Sequence, residues 1–166
     1  YLLPEFAIDL ATGHNVVSTV YAECRSMYRQ TGPDELRSLG ETEFVTGTAA
    51  MSASGAFGTT RVCEAMFGRV DLTLGDRTRP LFERHLERSD RRFRGVRFST
   101  AWDPSDEINN VAPRPHLLID EDVRKAAGIM SEMGLSLDCW VYHPQLNEVA
   151  QLAAEFPKLV IILNHA

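Results

Sequence analysis

The feature that most constrains the fold is the alternation of short apolar runs with amphipathic helical segments along 166 residues. Runs rich in Val, Ile, Leu and Phe predict five buried strands, at 15–24, 43–51, 93–99, 135–143 and 158–165. Segments with helical periodicity precede the first strand and separate the others, at 4–13, 32–41, 79–90, 120–134 and 144–157. This order is typical of a parallel sheet whose strands are joined by right-handed helical crossovers.

Two architectures fit the order, an open doubly wound sheet and a (β/α)8 barrel. An open sheet usually has a glycine-rich phosphate turn after its first strand, and the segment 23–32 contains neither GxGxxG nor GxxxxGK[ST]. At ~33 residues per unit, eight units would need about 265 residues, which is close to the usual size of a barrel. We therefore expect an α/β fold, with residues 1–166 as a single partial TIM-barrel domain that lacks both ends. The start at YLLPEF without Met, and the stop one residue after His165, agree with a truncated sequence.

Composition excludes several function classes. The net charge of −6 argues against a nucleic-acid surface, which would need a basic face. No apolar run approaches the ~20 residues of a membrane span, and neither a signal peptide nor a basic amphipathic helix is present. Cys24, Cys63 and Cys139 form no CxxC pair or zinc pattern, and Cys24 and Cys139 lie in apolar runs. We expect a reduced, cytoplasmic chain with buried thiols.

Ionisable residues stand where the predicted strands end. Glu23, Arg97, His143 and His165 occupy four of these ends, and the small residues of 49–55 follow the second strand. The carboxyl ends of parallel barrel strands open into one mouth, so these side chains are expected to converge. Imidazoles are the usual ligands of a catalytic metal, although a catalytic zinc site normally has three protein ligands.

Each of these residues also has a structural interpretation. A histidine at a strand end can be a hydrogen-bonded structural residue. Glu23 can form a salt bridge with Arg25 or Arg97. An arginine inside a strand bundle is costly without an anionic ligand or an acid beside it. His85 lies on the apolar stripe of a helix, where core packing is the default.

The segment 100–119 has three prolines and neither helical nor strand periodicity. Loops of this length in compact domains are often lids or binding loops, and a loop after a barrel strand lies on the catalytic face. Trp102 is expected to pack as a lid or to contact a substrate. Together with Phe98, this loop is expected to shape specificity.

The stretch LSLDCWVYHPQLNEVAQLAAEFPKLVIILNHA resembles the amidohydrolase-related (β/α)8 hydrolases, in the branch that includes 2-pyrone-4,6-dicarboxylate lactonase and sugar-lactone hydrolases. HNVVSTVYAECRSMYR, GETEFVTGTAAMSASG and FRGVRFSTAWD are similar to that family in the same order. YHPQL followed by LNH is the most specific part. The resemblance implies that the five strands are barrel strands two to six, so strand one and strands seven and eight are outside the sequence.

The resemblance also implies roles for individual residues. His143 and His165 match the family's histidines of barrel strands five and six, which would ligate a divalent metal (zinc or manganese) or act in catalysis. Arg97 matches an arginine that holds a substrate carboxylate or ring oxygen. Tyr142 and Gln145 could donate hydrogen bonds to a substrate from the same rim, and Glu23 is a further candidate for substrate binding. The chain departs from the family in having no HxH pair, no strand-eight aspartate, and Phe98 where a histidine often follows the arginine.

The function these features predict is hydrolysis of a lactone of a carboxylated or sugar-derived metabolite by water attack on its carbonyl. The expected partner is that small molecule, with no nucleic acid and no membrane, and homo-oligomers are compatible with the sequence. By itself the piece is expected to be inactive. The alternatives are a metal-dependent decarboxylase of the same superfamily and a non-catalytic barrel remnant or binding scaffold.

Overall fold

The computed structural model of the protein describes residues 1–165. Helices and strands alternate along the chain in the order α1 (Leu3–Leu10), β1 (Ser18–Ala22), α2 (Leu39–Ala53), β2 (Arg61–Gly68), α3 (Thr78–Arg88), β3 (Phe93–Ser99), α4 (Glu121–Met133), β4 (Ser136–Trp140), α5 (Leu146–Glu155) and β5 (Ile161–Asn164). Short 3-10 helices cover Asp34–Leu36, Leu72–Arg77 and His143–Gln145. No helix within residues 1–165 is both long and apolar enough to cross a membrane.

The contacts divide the chain into two compact units. The first unit contains Tyr1–Gly68 and Arg84–Arg94, and the second contains Arg69–Glu83 and the described residues from Gly95 onward. In the first unit β1 and β2 pair in parallel, and Val45 and Met66 are wholly buried. Helix α2 packs against β2 through its buried side, and Leu3 at the start of α1 is also buried.

The second unit contains parallel pairing of β3 with β4 and of β4 with β5. Its wholly buried side chains come from strands, helices and the 100–119 segment, and include Val96, Leu118, Val123, Met130, Leu137 and Leu152. Helix α4 packs on the 3-10 helix Leu72–Arg77. The protein is thus an α/β fold with parallel strands, consistent with part of a (β/α)8 barrel.

The prediction of a strand at 43–51 is wrong, because this segment lies inside helix α2. Around this segment the buried residues of α2 are Thr42, Val45, Ala49 and Ser52, which are separated by three or four positions, the spacing of one helix face. The β-branched residues suggested a strand, but burial of this face decided the local structure. The small residues of 49–55 therefore belong to the end of a helix and do not line the end of a strand.

The strand missing from the prediction is β2. Its burial does not alternate, since Val62 and Cys63 are both buried and Glu64 is exposed. A register shift in its pairing with β1 causes this irregularity, and Cys63 has a positive φ of 56° there. The Thr19 hydroxyl accepts a hydrogen bond from the Cys63 amide at 3.0 Å. A bulged strand with charged residues lacks the period of two on which strand prediction depends.

Most other elements match the sequence analysis. The strand predicted at 93–99 is confirmed with the same bounds, and the remaining predicted strands contain β1, β4 and β5. Helix α4 is capped at its start by Asp120, whose carboxylate accepts from the amides of Asp122 and Val123, and at its end by Gly134, which has a left-handed φ of 67°. The segment 100–119 contains no helix or strand, as predicted.

One prediction about the cysteines also needs correction. Cys63 and Cys139 are buried, but Cys24 is exposed. Cys24 lies two residues beyond the end of β1, where the apolar pattern continues but the chain has already left the strand. The apolar character of 15–24 therefore overestimated the length of the buried segment.

Candidate active site

The two strand-end histidines of the second unit line the same cavity. His143 begins the 3-10 helix that follows β4, and His165 comes directly after β5. Both imidazoles are exposed, and with Asp103, Ile108 and Tyr142 they surround an open cavity of about 330 Å³. The parallel pairing of β4 and β5 brings their carboxyl ends together, which is why residues 22 positions apart meet.

His165 is held against an aromatic side chain. Its ring lies 4.5 Å from that of Trp140, centroid to centroid, at an interplanar angle of 34°. Trp140 is the last residue of β4 and pairs in register with Asn164, the residue before His165. The backbone of His165 has a positive φ of 59°, which a non-glycine residue seldom adopts. The tilted ring contact with Trp140 therefore orients this imidazole.

A buried acid that the sequence analysis missed lies beside Arg97. Arg97 on β3 pairs in register with Asp138 on β4, and its Nε donates a 2.9 Å hydrogen bond to Asp138 Oδ2. The Asn164 amide donates to both oxygens of the same carboxylate, at 3.0 and 3.2 Å. Asp138 therefore connects polar residues of three neighbouring strands. An aspartate inside the apolar run LSLDCW was the available signal, since a buried carboxylate needs partners.

Tyr142 and Gln145 attach the 100–119 segment to the end of β4. Gln145 is buried, and its Oε1 accepts from the backbone amides of Tyr142 at 3.0 Å and Trp102 at 3.4 Å. Its Nε2 donates to the Trp102 carbonyl at 2.7 Å. The Tyr142 hydroxyl donates to the Asn109 carbonyl at 2.7 Å. Both side chains thus anchor the loop, and substrate contacts by Tyr142, Gln145 and Trp102 stay predictions.

The loop itself is closed by internal hydrogen bonds. The Asp103 amide donates to Asn110 Oδ1 at 2.6 Å, and Asn110 Nδ2 donates back to the Asp103 carbonyl at 2.9 Å. The Ala101 carbonyl accepts from the amides of Val111 and Ala112. Further along, His116 Nδ1 lies 2.8 Å from Glu148 Oε1 on α5. These contacts place Asp103, which the sequence analysis did not single out, on the wall of the cavity.

Glu23 lies in the first unit and is buried. Its Oε1 accepts hydrogen bonds from the Tyr28 hydroxyl at 2.9 Å and from the Arg25 backbone amide at 3.1 Å. The Arg25 contact therefore comes from the backbone rather than from the guanidinium that the sequence suggested. A role for Glu23 in substrate binding stays a prediction.

A second buried acid, Glu41, organises the segment after β1. Its Oε1 accepts hydrogen bonds from the Tyr21 hydroxyl at 2.8 Å and from the amides of Cys24 at 3.1 Å and Ser26 at 3.0 Å. Burial raises the pKa of the Tyr21 phenol, and its hydrogen bonds to Cys24 and Glu41 raise it further. Because these contacts lie 15 to 20 residues apart in sequence, no local pattern could have identified Glu41.

Metal binding by His143 and His165 would need further ligands, because the described residues do not provide a complete set. Within residues 1–165, no group of three or more His, Cys, Asp or Glu side chains is arranged to hold a metal ion. A catalytic zinc site normally has three protein ligands, so the residues at this cavity would form part of such a site at most. His85 is buried, lies 2.8 Å from the Thr42 hydroxyl and stacks on Phe93, in agreement with the core-packing role that the sequence predicted.

Comparisons with known proteins place the chain as follows. No family model matches the sequence. The chain is 29% identical over 165 residues to the uncharacterized protein y4mH of Sinorhizobium fredii, and the match covers 99% of this chain and 49% of that protein. The chain thus spans about half the length of the curated relative that it matches.

Among solved structures, the chain is similar to an amidohydrolase from Burkholderia multivorans crystallised with bound HEPES. The TM-score is 0.50, the identity is 17%, and the match covers 90% of this chain and 57% of that one. At this level of identity the likeness concerns the fold. It agrees with the architecture that the sequence analysis predicted.

Proposed function

We propose that the protein is a hydrolase of the amidohydrolase superfamily that opens a lactone of a carboxylated or sugar-derived metabolite. The observation that carries the proposal is that His143, His165 and Tyr142 line one open cavity at the carboxyl ends of two parallel strands. The fold likeness to a solved amidohydrolase supports the superfamily. As the chain covers about half of its relative, the proposal concerns the activity of the whole protein.

The chemistry follows from the residue types at the cavity. Water attacks the lactone carbonyl carbon, the ring C–O bond breaks, and the water proton passes to the departing ring oxygen. A neutral imidazole can accept and return such a proton because its ordinary pKa is about 6.5. We assign this shuttle to His165, whose ring is oriented by its tilted contact with Trp140, and polarisation of the carbonyl to His143.

Arg97 is proposed to act near the reacting ester. It would act there as a hydrogen-bond donor and not as an isolated positive charge. Its Nε is engaged by the buried carboxylate of Asp138, so this pair has no net charge. The acid fixes the orientation of the guanidinium, and we assign to Arg97 a hydrogen bond to a ring oxygen or hydroxyl of the substrate.

The test is a lactone panel followed with a pH indicator, with and without a chelator. Ring opening releases a proton, whereas the alternative decarboxylase reaction releases CO2, which is measured in parallel. We expect the variants His165→Asn and His143→Asn to lose about 10²-fold or more in kcat/KM. His14→Asn is the matched control, because His14 is also exposed but lies outside this cavity. CO2 release, or equal activity of all three variants, would contradict the proposal.

A further inference from the structure

We propose that Asp103 makes the cavity selective for neutral, hydroxyl-bearing ligands over carboxylated ones. The inference rests on the proposed function and deepens it, because it chooses between the two lactone classes that the sequence left open. Asp103 lines the cavity together with Ile108, Tyr142, His143 and His165.

The charges around the cavity are the first step of the argument. Asp103 is the one carboxylate among its described lining residues, and no lysine or arginine is among them. The described wall therefore presents a negative charge to a ligand.

Arg97, the residue predicted to bind an anion, does not offset this charge. Arg97 was expected to hold a substrate carboxylate, but Asp138 lies 2.9 Å from its Nε, and the Asp138 side chain is 4% exposed. A buried acid beside an arginine cancels most of the attraction that the arginine would exert on a second anion. A ligand carboxylate in this cavity would meet Asp103 without a compensating net positive charge.

The position of Asp103 is fixed by its neighbours. Its amide and carbonyl are both bonded to the Asn110 side chain, at 2.6 and 2.9 Å, and its Oδ1 accepts from the Ser105 amide at 2.9 Å. Within residues 1–165, Oδ2 makes no hydrogen bond. An ionised carboxylate accepts hydrogen bonds and donates none, so this oxygen suits a ligand hydroxyl. The same oxygen repels a second carboxylate at close range.

Binding is measured first, since it does not depend on turnover. Both tryptophans of the chain lie beside the cavity, because Trp102 precedes Asp103 and Trp140 stacks on His165. Their fluorescence is titrated with D-galactono-1,4-lactone, which is neutral, and D-glucaro-1,4-lactone, which carries a carboxylate. We expect the wild-type protein to bind the neutral lactone at least ~10-fold more tightly, and 0.5 M salt, where screening lengths shorten to about 4 Å, to reduce the ratio.

Asp103→Asn keeps the size of the side chain and removes its charge. We expect it to reduce the ratio of the two dissociation constants by ~10-fold, mainly through tighter binding of the carboxylated lactone. Asp106→Asn is the matched control, because Asp106 is an exposed acid of the same loop that does not line the cavity. It should leave the ratio unchanged, and thermal melts of both variants establish that they are folded.

The outcomes separate this inference from the proposed function. Selective binding that depends on Asp103 without ring opening would sustain the inference and contradict the lactonase proposal. Ring opening would sustain the lactonase proposal. A ratio of the two dissociation constants that neither salt nor Asp103→Asn changes would contradict the inference. Preference of the wild-type protein for the carboxylated lactone, or binding of neither compound, would overturn the inference.

Discussion

Arg97 and Asp138 face each other across the paired strands β3 and β4, with Arg97 Nε 2.9 Å from Asp138 Oδ2. Their side chains are 16% and 4% exposed, so the ion pair is largely removed from water. The same carboxylate accepts from Asn164 on β5, one residue before His165. One buried acid thus links the predicted arginine to the strand that carries a predicted catalytic histidine.

Asp138→Asn should destabilise the protein strongly. It removes the carboxylate that accepts from Arg97 Nε, and breaking a largely buried ion pair costs about 3–5 kcal/mol. Urea denaturation at fixed temperature measures the free energy of unfolding. Arg84→Gln, which disrupts the exposed pair with Glu87, is the control and should cost less than about 1 kcal/mol.

Replacing both members of the pair distinguishes a missing partner from lost packing. The double variant Arg97→Met and Asp138→Leu removes both charges, so it should be more stable than Asp138→Asn alone. Equal or lower stability of the double variant would indicate that the carboxylate acts mainly through Asn164.

Gln145→Leu should release the start of the 100–119 segment. The change removes hydrogen bonds to the Tyr142 amide and to both backbone groups of Trp102, at a cost of about 1–3 kcal/mol. Hydrogen exchange at the Tyr142 amide reports it directly, and we expect faster exchange there. Gln151→Leu, at an exposed position of α5, should leave that amide protected. Unchanged protection in Gln145→Leu would mean that the loop is held by other contacts.

Two glycines of helix α2 should respond oppositely to alanine. A Cβ at Gly40 would lie 2.3 Å from the Met27 carbonyl oxygen and 2.9 Å from the Arg29 amide, and both are backbone atoms. A Cβ at Gly47 would meet nothing within 4 Å. We expect Gly40→Ala to destabilise by about 1–3 kcal/mol and Gly47→Ala to stabilise by about 0.5–1 kcal/mol. Thermal melts that show the same sign for both would contradict the close packing at Gly40.

Cys139 should make stability depend on alkaline pH. Burial raises the pKa of its thiol to about 12 from an ordinary 9.0, and the adjacent charge of Asp138 adds to the effect. Above about pH 9 the unfolded chain loses this proton while the folded protein keeps it, so stability falls as pH rises toward 12. Unfolding of the wild-type protein and Cys139→Ala is compared at about pH 8 and about pH 10.5. The wild-type protein should lose more stability over this range, and an equal loss would refute the assignment.

The site could be predicted in part because its histidines end apolar runs. His143 and His165 come just after β4 and β5, and the parallel order along the chain was enough to place them at one cavity. Asp138 and Asp103 were not identified, since a single acid in a strand or a loop has many structural roles. Their partners lie on other strands or across the loop, at distances that no local pattern encodes.

The sequence by itself determined the alternation of strands and helices, the bounds of β3, the ends of α4, and the residues that stand at strand ends. These follow from local forces, namely apolar periodicity, capping by Asp120 and the left-handed residue Gly134. Tertiary structure alone decided that 43–51 is helical and that the bulged segment 61–68 is a strand. The burial of side chains against neighbouring elements outweighs the intrinsic propensity of a segment for helix or strand. It also decided that Arg97 is neutralised by Asp138 and that Asp103 faces the histidines, since both depend on contacts between residues distant in sequence.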